Sequence, residues 1–100
     1  MSRSLEYVVL AGARDLLSTP DDWVQGAFRQ GKRRCLDEAI WQAACRIVQG
    51  RTARRRIAHQ ARRLIYAETG FRHRSDIHRW NDDDGRTHAD VIGLLDRCVA

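Results

Sequence analysis

Proline is nearly missing from this chain: Pro20 is the only one among 100 residues, which excludes a proline-rich linker, and no other low-complexity segment replaces it. Long apolar runs are missing too. The one near the start, around Val8-Val9-Leu10, begins beside Glu6 and is closed by Arg14-Asp15, too soon for a membrane span or a convincing signal peptide. The chain therefore reads as soluble and cytoplasmic, with no membrane partner. Cysteine is scarce and odd in number. Cys35, Cys45 and Cys98 lie far apart, which fits reduced, buried thiols better than a disulfide framework or a CxxC zinc knuckle. Acid is absent over a long stretch: no Asp or Glu occurs between Glu38 and Glu68, while Asp76, Asp82, Asp83, Asp84, Asp90 and Asp96 crowd the C-terminal third.

What is present is arginine. It supplies most of the +5 net charge and biases the chain toward polyanions and acidic surfaces. A hydrophobic fraction of 43% is enough for one modest core, so residues 1–100 are expected to form a single helical domain.

Leu5, Val8, Val9, Gly12, Leu16 and Leu17 recur at helical spacing and predict a first helix near residues 5–17, started by Ser4 or Ser2. Thr19 then caps a short turn with Pro20 at its first position and Asp22 three residues after the cap. The glycine-bounded stretch that follows predicts a connection with a short hairpin near residues 25–34. Leu36, Ala39, Ile40, Ala43 and Ile47, widened by Trp41, Ala44, Cys45 and Val48, predict the central core helix, ended by Gly50. A third helix is expected from about Thr52, burying Ile57, Ala58, Ala61, Leu64 and Ile65 and stopping at Thr69-Gly70. A short element, Asp76 to Trp80, is started by Ser75. Thr87 with Asp90 three positions on caps the last helix, which buries Val91, Ile92, Leu94, Leu95, Cys98 and Val99. Four to five helices, most of them too short for a long bundle, predict an all-α fold with irregular, orthogonal packing.

Two regions carry chemistry. On a helical wheel Arg51, Arg55, Arg56, His59, Arg62, Arg63 and Tyr66 lie opposite the apolar residues of the third helix with no carboxylate among them. Arginine pairs bidentately with phosphate, so Arg51, Arg55, Arg56, Arg62 and Arg63 are the candidate nucleic-acid contacts. An acidic protein surface meets the same charges equally well, and the plainer alternative is a solvated face neutralised by the C-terminal aspartates. No helix-turn-helix, zinc-finger or RNP sequence accompanies the arginines, so phosphate contacts are expected rather than base reading.

The second region is Trp80 to Asp90. Asn81, Asp82, Arg86, Thr87 and His88 next to a helix start form a candidate polar site for a small anion or for catalysis. A turn with Gly85 left-handed and His88 directed inward is the structural alternative. An EF-hand is excluded, because Gly85 as its sixth residue puts Trp80 first and Val91 twelfth. Asp82, Asp84, His88 and Asp90 could form a hard-metal or general acid–base cluster but have no fixed ligand spacing, and Cys35 with His88 or His59 is no more than a conceivable nucleophile pair. Neither a metal nor a cofactor is called for, and enzymatic activity stays open.

Trp80-Asn81-Asp82, Gly85-Arg86-Thr87-His88, the acid Asp90 and the run to Leu94-Leu95-Asp96 resemble the C-terminal signature of a family of small, functionally uncharacterised proteins of bacteria and their phages. Ala13-Arg14, Leu16-Leu17, Pro20, Trp23, Gln25-Gly26-Ala27, Cys35-Leu36 and Ala39-Ile40 extend the resemblance. Asp37-Glu38 departs from it, standing where an apolar-plus-small pair is usual, and Asp90 stands where Glu is commoner. The resemblance implies a shared helical fold and brings no activity. The leading expectation is thus an accessory or regulatory domain that binds a polyanion, nucleic acid first. Behind it stand a site at Trp80–Asp90 and an interaction module of phage or mobile-element origin with Trp23, Phe28 or Trp41 exposed as anchors.

Overall fold

The structure, a computed structural model, describes residues 4–100. Helix α1 (Leu5–Leu16) buries Val9, Leu10 and Ala13, the face that its apolar spacing selects. Ser4 begins it, its carbonyl accepting from the Tyr7 N–H; the alternative start, Ser2, lies outside the described residues. A single 3-10 turn (Pro20–Asp22) follows, held by the Asp22 carboxylate, which accepts from the Thr19 N–H at 3.1 Å and the Thr19 hydroxyl at 2.9 Å.

The expected hairpin is present. Strands β1 (Arg29–Gln30) and β2 (Arg33–Arg34) pair antiparallel, Arg29 opposite Arg34 and Gln30 opposite Arg33. Gly31, at φ +62°, takes the first turn position, where a tight two-residue hairpin of this kind requires a positive φ. The hairpin is anchored to its surroundings by Val24 N–H to Arg34 O and Cys35 N–H to Phe28 O.

Helix α2 (Leu36–Ile47) is capped by Cys35, whose Sγ accepts from the Glu38 N–H at 3.4 Å. It lies against α1 at Gly12, where an added Cβ would come within 3.2 Å of the Ala43 Cβ; the missing side chain lets the two helices approach. Helix α3 (Arg51–Thr69) buries Ile57, Ala58, Ala61 and Ile65 and ends at Gly70, whose N–H donates to Tyr66 O. It starts one residue earlier than its sequence signal.

Helix α4 (Arg74–Asp82) is longer than expected at both ends. The reason is Asp76, not Ser75: its carboxylate accepts from the Arg72 and His73 backbone N–H groups and so fixes an earlier start. Helix α5 (His88–Val99) begins as predicted, with Asp90 N–H to the Thr87 hydroxyl and Thr87 N–H to the Asp90 carboxylate closing a reciprocal box.

The five helices enclose one apolar cluster. Leu10, Leu17, Leu36, Ile40, Ile65, Ile77, Leu94 and Leu95 are its largest members, all fully enclosed. Helix α1 packs against α2, α3 and α5, and α2 against α3 and α4, so the fold is an irregular all-α bundle with a minimal hairpin. The three thiols are free, with Cys35 and Cys98 buried and Cys45 half-buried. Among the described residues no helix is long and apolar enough to cross a membrane.

Candidate functional site

Of the five arginines singled out on α3, the structure keeps Arg51, Arg55, Arg56 and Arg63 exposed. None of the four guanidiniums makes an ion pair or hydrogen bond with the described residues. They do not form a single stripe. Arg55 borders one side of the helix, toward α2, while Arg56 and Arg63 border the other, toward the start of α1, so the charge wraps around the exposed half of α3.

Arg62 is separate from this group. Its side chain is only 10% exposed, and its Nε donates to Asp37 Oδ1 at 2.7 Å. The position explains it: four residues after Ala58 and three before Ile65, Arg62 lies on the edge of the buried face. Asp37 is placed correspondingly on α2, three residues before Ile40 and seven before Ala44, both buried. Helix packing then brings the acid and the base together. Among the described residues no α3 arginine pairs with a C-terminal aspartate; the counter-ion of Arg62 comes from α2.

The Asp37 carboxylate, 1% exposed, also accepts from Arg74 Nε at 2.7 Å and has His78 Nε2 at 3.5 Å. Arg62 is held at two nitrogens, Nε on Oδ1 and Nη2 on Oδ2 at 3.5 Å, and Oδ2 also takes the Arg74 Nε. Outside this cluster lies a recess of about 330 Å³ lined by Glu38, Trp41, Arg55, Arg62 and Arg74. Three cations face one surface carboxylate there, with an aromatic wall.

The residues from Trp80 to Asp90 fold into a clasp. Asn81, 1% exposed, accepts through Oδ1 from the Trp23 indole N–H at 2.8 Å and from the Leu36 N–H at 3.0 Å. Its amide donates to Val24 O at 3.1 Å and to Asp82 Oδ1 at 2.9 Å. Asp82 in turn accepts from the Gly26 N–H, and Gln25 donates to the Asn81 and Asp83 carbonyls. Asn81 thus fastens the segment after α1 to α4 and supplies one of the acceptors that the start of α2 requires.

Arg86 stacks 4.1 Å above the Trp80 ring, donates to Trp80 O at 2.8 Å and reaches Asp83 and Asp90. Thr87 belongs to the α5 cap, whose hydrogen bonds hold the Asp90 carboxyl below its ordinary range. His88 is half-buried, its Nε2 against Leu17 O; a carbonyl only accepts, so Nε2 carries the proton. Gly85 is left-handed at φ +81°, as the turn reading required.

Apart from the Asn81–Asp82 hydrogen bond, the five side chains of this candidate polar site do not converge. Asp82 borders a recess of about 290 Å³ with Gly26, Ala27, Phe28, Cys35 and His78. Arg86 borders a different one, and Asn81 is enclosed. Asp82, Asp84, His88 and Asp90 do not gather either: among the described residues no group of three or more His, Cys, Asp or Glu side chains is arranged to hold a metal ion. Cys35 shares its recess with His78 rather than with His88 or His59, and burial pushes its thiol up, away from the thiolate.

Among the proposed anchors, Phe28 is 58% exposed and meets His78 edge-on at 5.1 Å, whereas Trp23 and Trp41 are half-buried against the core. Sequence reasoning did not single out Asp37 as the partner of Arg62, nor Arg74 and His78 as further partners of that carboxylate. A wheel drawn on α2 carried the signal for Asp37, an acid in register with Ile40 and Ala44. Arg74 and His78 gave none, since only the packing of α4 on α2 brings them near.

Compared with known proteins, residues 2–100 match the model of a family described as a family of unknown function, DUF6197. No curated protein and no solved structure matches the chain.

Proposed function

We propose, for a chain that belongs to the family of unknown function DUF6197, that it is a small accessory protein binding nucleic acid through the sugar-phosphate backbone. The contacts are Arg51, Arg55, Arg56 and Arg63. One observation carries the reading: four exposed guanidiniums without partners among the described residues project from a helix whose first carboxylate is Glu68. Like charges at this density repel one another along a helix and gain nothing from the fold itself, whereas a phosphate backbone offers each of them a bidentate acceptor. Arg62 is outside the contact set, since its charge is committed to Asp37. The cytoplasmic, bacterial or phage setting expected from the sequence belongs to the same proposal.

The test is a salt series of binding to labelled DNA and RNA, with Arg55→Glu/Arg63→Glu beside the unaltered protein and Arg62 left in place. Each phosphate contact adds roughly 0.9 to the slope of log affinity against log salt on duplex DNA, so the double variant is expected to lose about 2 from that slope and most of the affinity. Binding and salt dependence that ignore both reversals would overturn the reading.

A further inference from the structure

We infer that the partner is a single strand, its bases seated on a track that runs from Phe28 over Arg74 to the recess between Arg55 and Trp41 and its backbone continuing from Arg55 around the exposed half of α3. The inference rests on the nucleic-acid reading above and adds which form of nucleic acid the surface selects. The track is continuous in the fold. Phe28, at the mouth of the hairpin, touches His78; His78 and Arg74 both reach Asp37; and Arg74, Arg62, Arg55, Glu38 and Trp41 line the recess.

Three features fit a strand with unpaired bases. The first is the alternation of aromatic and cationic groups, since a base stacks on an aromatic face only when its own face is free, and in a duplex the stack of neighbouring base pairs covers it. Phe28 offers 58% of its surface, and Trp41 forms a wall of the recess. The second is charge. Arg55, Arg62 and Arg74 against Asp37 and Glu38 leave one net positive charge, and Asp37 is enclosed behind the guanidiniums rather than facing the strand.

The third is preorganisation. Asp37 anchors Arg74 at Nε, while the Arg74 side chain stays 55% exposed, so its remaining N–H groups are free to donate to a phosphate. Fixing a guanidinium before binding removes part of the ordering cost that an exposed arginine otherwise carries. A concave recess also receives a projecting nucleotide better than the convex side of a duplex. An acidic peptide satisfies the cations but leaves Phe28 and Trp41 idle, which makes it the outcome to test against.

The experiment measures anisotropy of a labelled twelve-nucleotide single strand, as DNA and as RNA, against its duplex and a polyglutamate peptide. The unaltered protein, Phe28→Ala, Trp41→Leu and Arg74→Gln are compared, with circular dichroism confirming each fold. Phe28 is exposed and outside the core, so its variant keeps the test valid if Trp41→Leu fails to fold. The expected result is tighter binding of the single strand than of the duplex. Phe28→Ala should weaken the single strand about tenfold through lost stacking while leaving the duplex unchanged. Equal affinity for both forms, unmoved by Phe28→Ala and Trp41→Leu, would overturn the inference and leave phosphate binding standing. Preference for polyglutamate, or no binding of any nucleic acid near physiological salt, would overturn both.

Discussion

Replacing Asp37 by Asn isolates the buried charge of Arg62. The two partners of this carboxylate stand in different surroundings: the Arg62 side chain is 10% exposed and that of Arg74 is 55% exposed. Loss of the anion therefore costs little at Arg74, which turns to water, and much at Arg62, which cannot. Removing one partner of a buried pair typically costs about 3–5 kcal/mol, whereas an exposed pair contributes about 0–1 kcal/mol. An expected loss of about 3 kcal/mol for Asp37→Asn corresponds to a fall in Tm on the order of 15 °C for a chain of this size.

Thermal and urea unfolding followed by far-UV circular dichroism give the value, with Arg74→Gln as the control expected to lose less than about 1 kcal/mol. The double change Asp37→Leu/Arg62→Met should recover most of the loss, because a buried ion pair is often matched by apolar residues of similar volume. An Asp37→Asn variant no less stable than Arg74→Gln would refute the reasoning, as would a double variant less stable than either single change.

Two further predictions concern the clasp and the start of α4. Asn81→Ala should cost about 3 kcal/mol, since it leaves the Leu36 N–H and Val24 O in a buried site, and the part-buried Trp23 indole N–H, without their partner; Asp82→Ala, at an exposed carboxylate, should cost far less, and equal melts for the two variants would contradict the assignment. The Asp76 carboxyl is lowered from 3.8 to about 2 by the Arg72 N–H, then by Arg79 and the His73 N–H. Its folded pKa is depressed, so its stabilisation is fully present above the unfolded pKa and is lost as pH falls from about 4 toward 2. Melts of Asp76→Asn and the unaltered protein should differ at pH 6 and converge near pH 2; a constant difference across that range would refute the assignment.

The sequence determined what local chemistry controls. Apolar spacing placed the four longer helices, Thr87 with Asp90 placed the start of α5, and Gly31 and Gly85 met turns that demand positive φ, because each signal is complete within a few residues of chain. The arginine concentration on α3 and the absence of acid around it were legible for the same reason.

Tertiary structure decided the rest. A helical wheel does not show how far a neighbouring helix reaches around its edge, so it grouped Arg62 with the exposed arginines although packing turns it toward Asp37. Trp80 to Asp90 looked like a site because its polar residues are dense in sequence. Arg86 and Thr87 are taken up within the segment, by Trp80, Asp83 and Asp90, while Asn81 and His88 find partners elsewhere in the chain, Asn81 on Trp23, Val24 and Leu36, and His88 on Leu17. Buried polar groups need partners wherever the fold puts them, and sequence distance carries no record of that. The recess of Arg55, Arg74 and Trp41 has the same origin, since α2, α3 and the start of α4 each contribute one of these side chains and only their packing makes a surface of them.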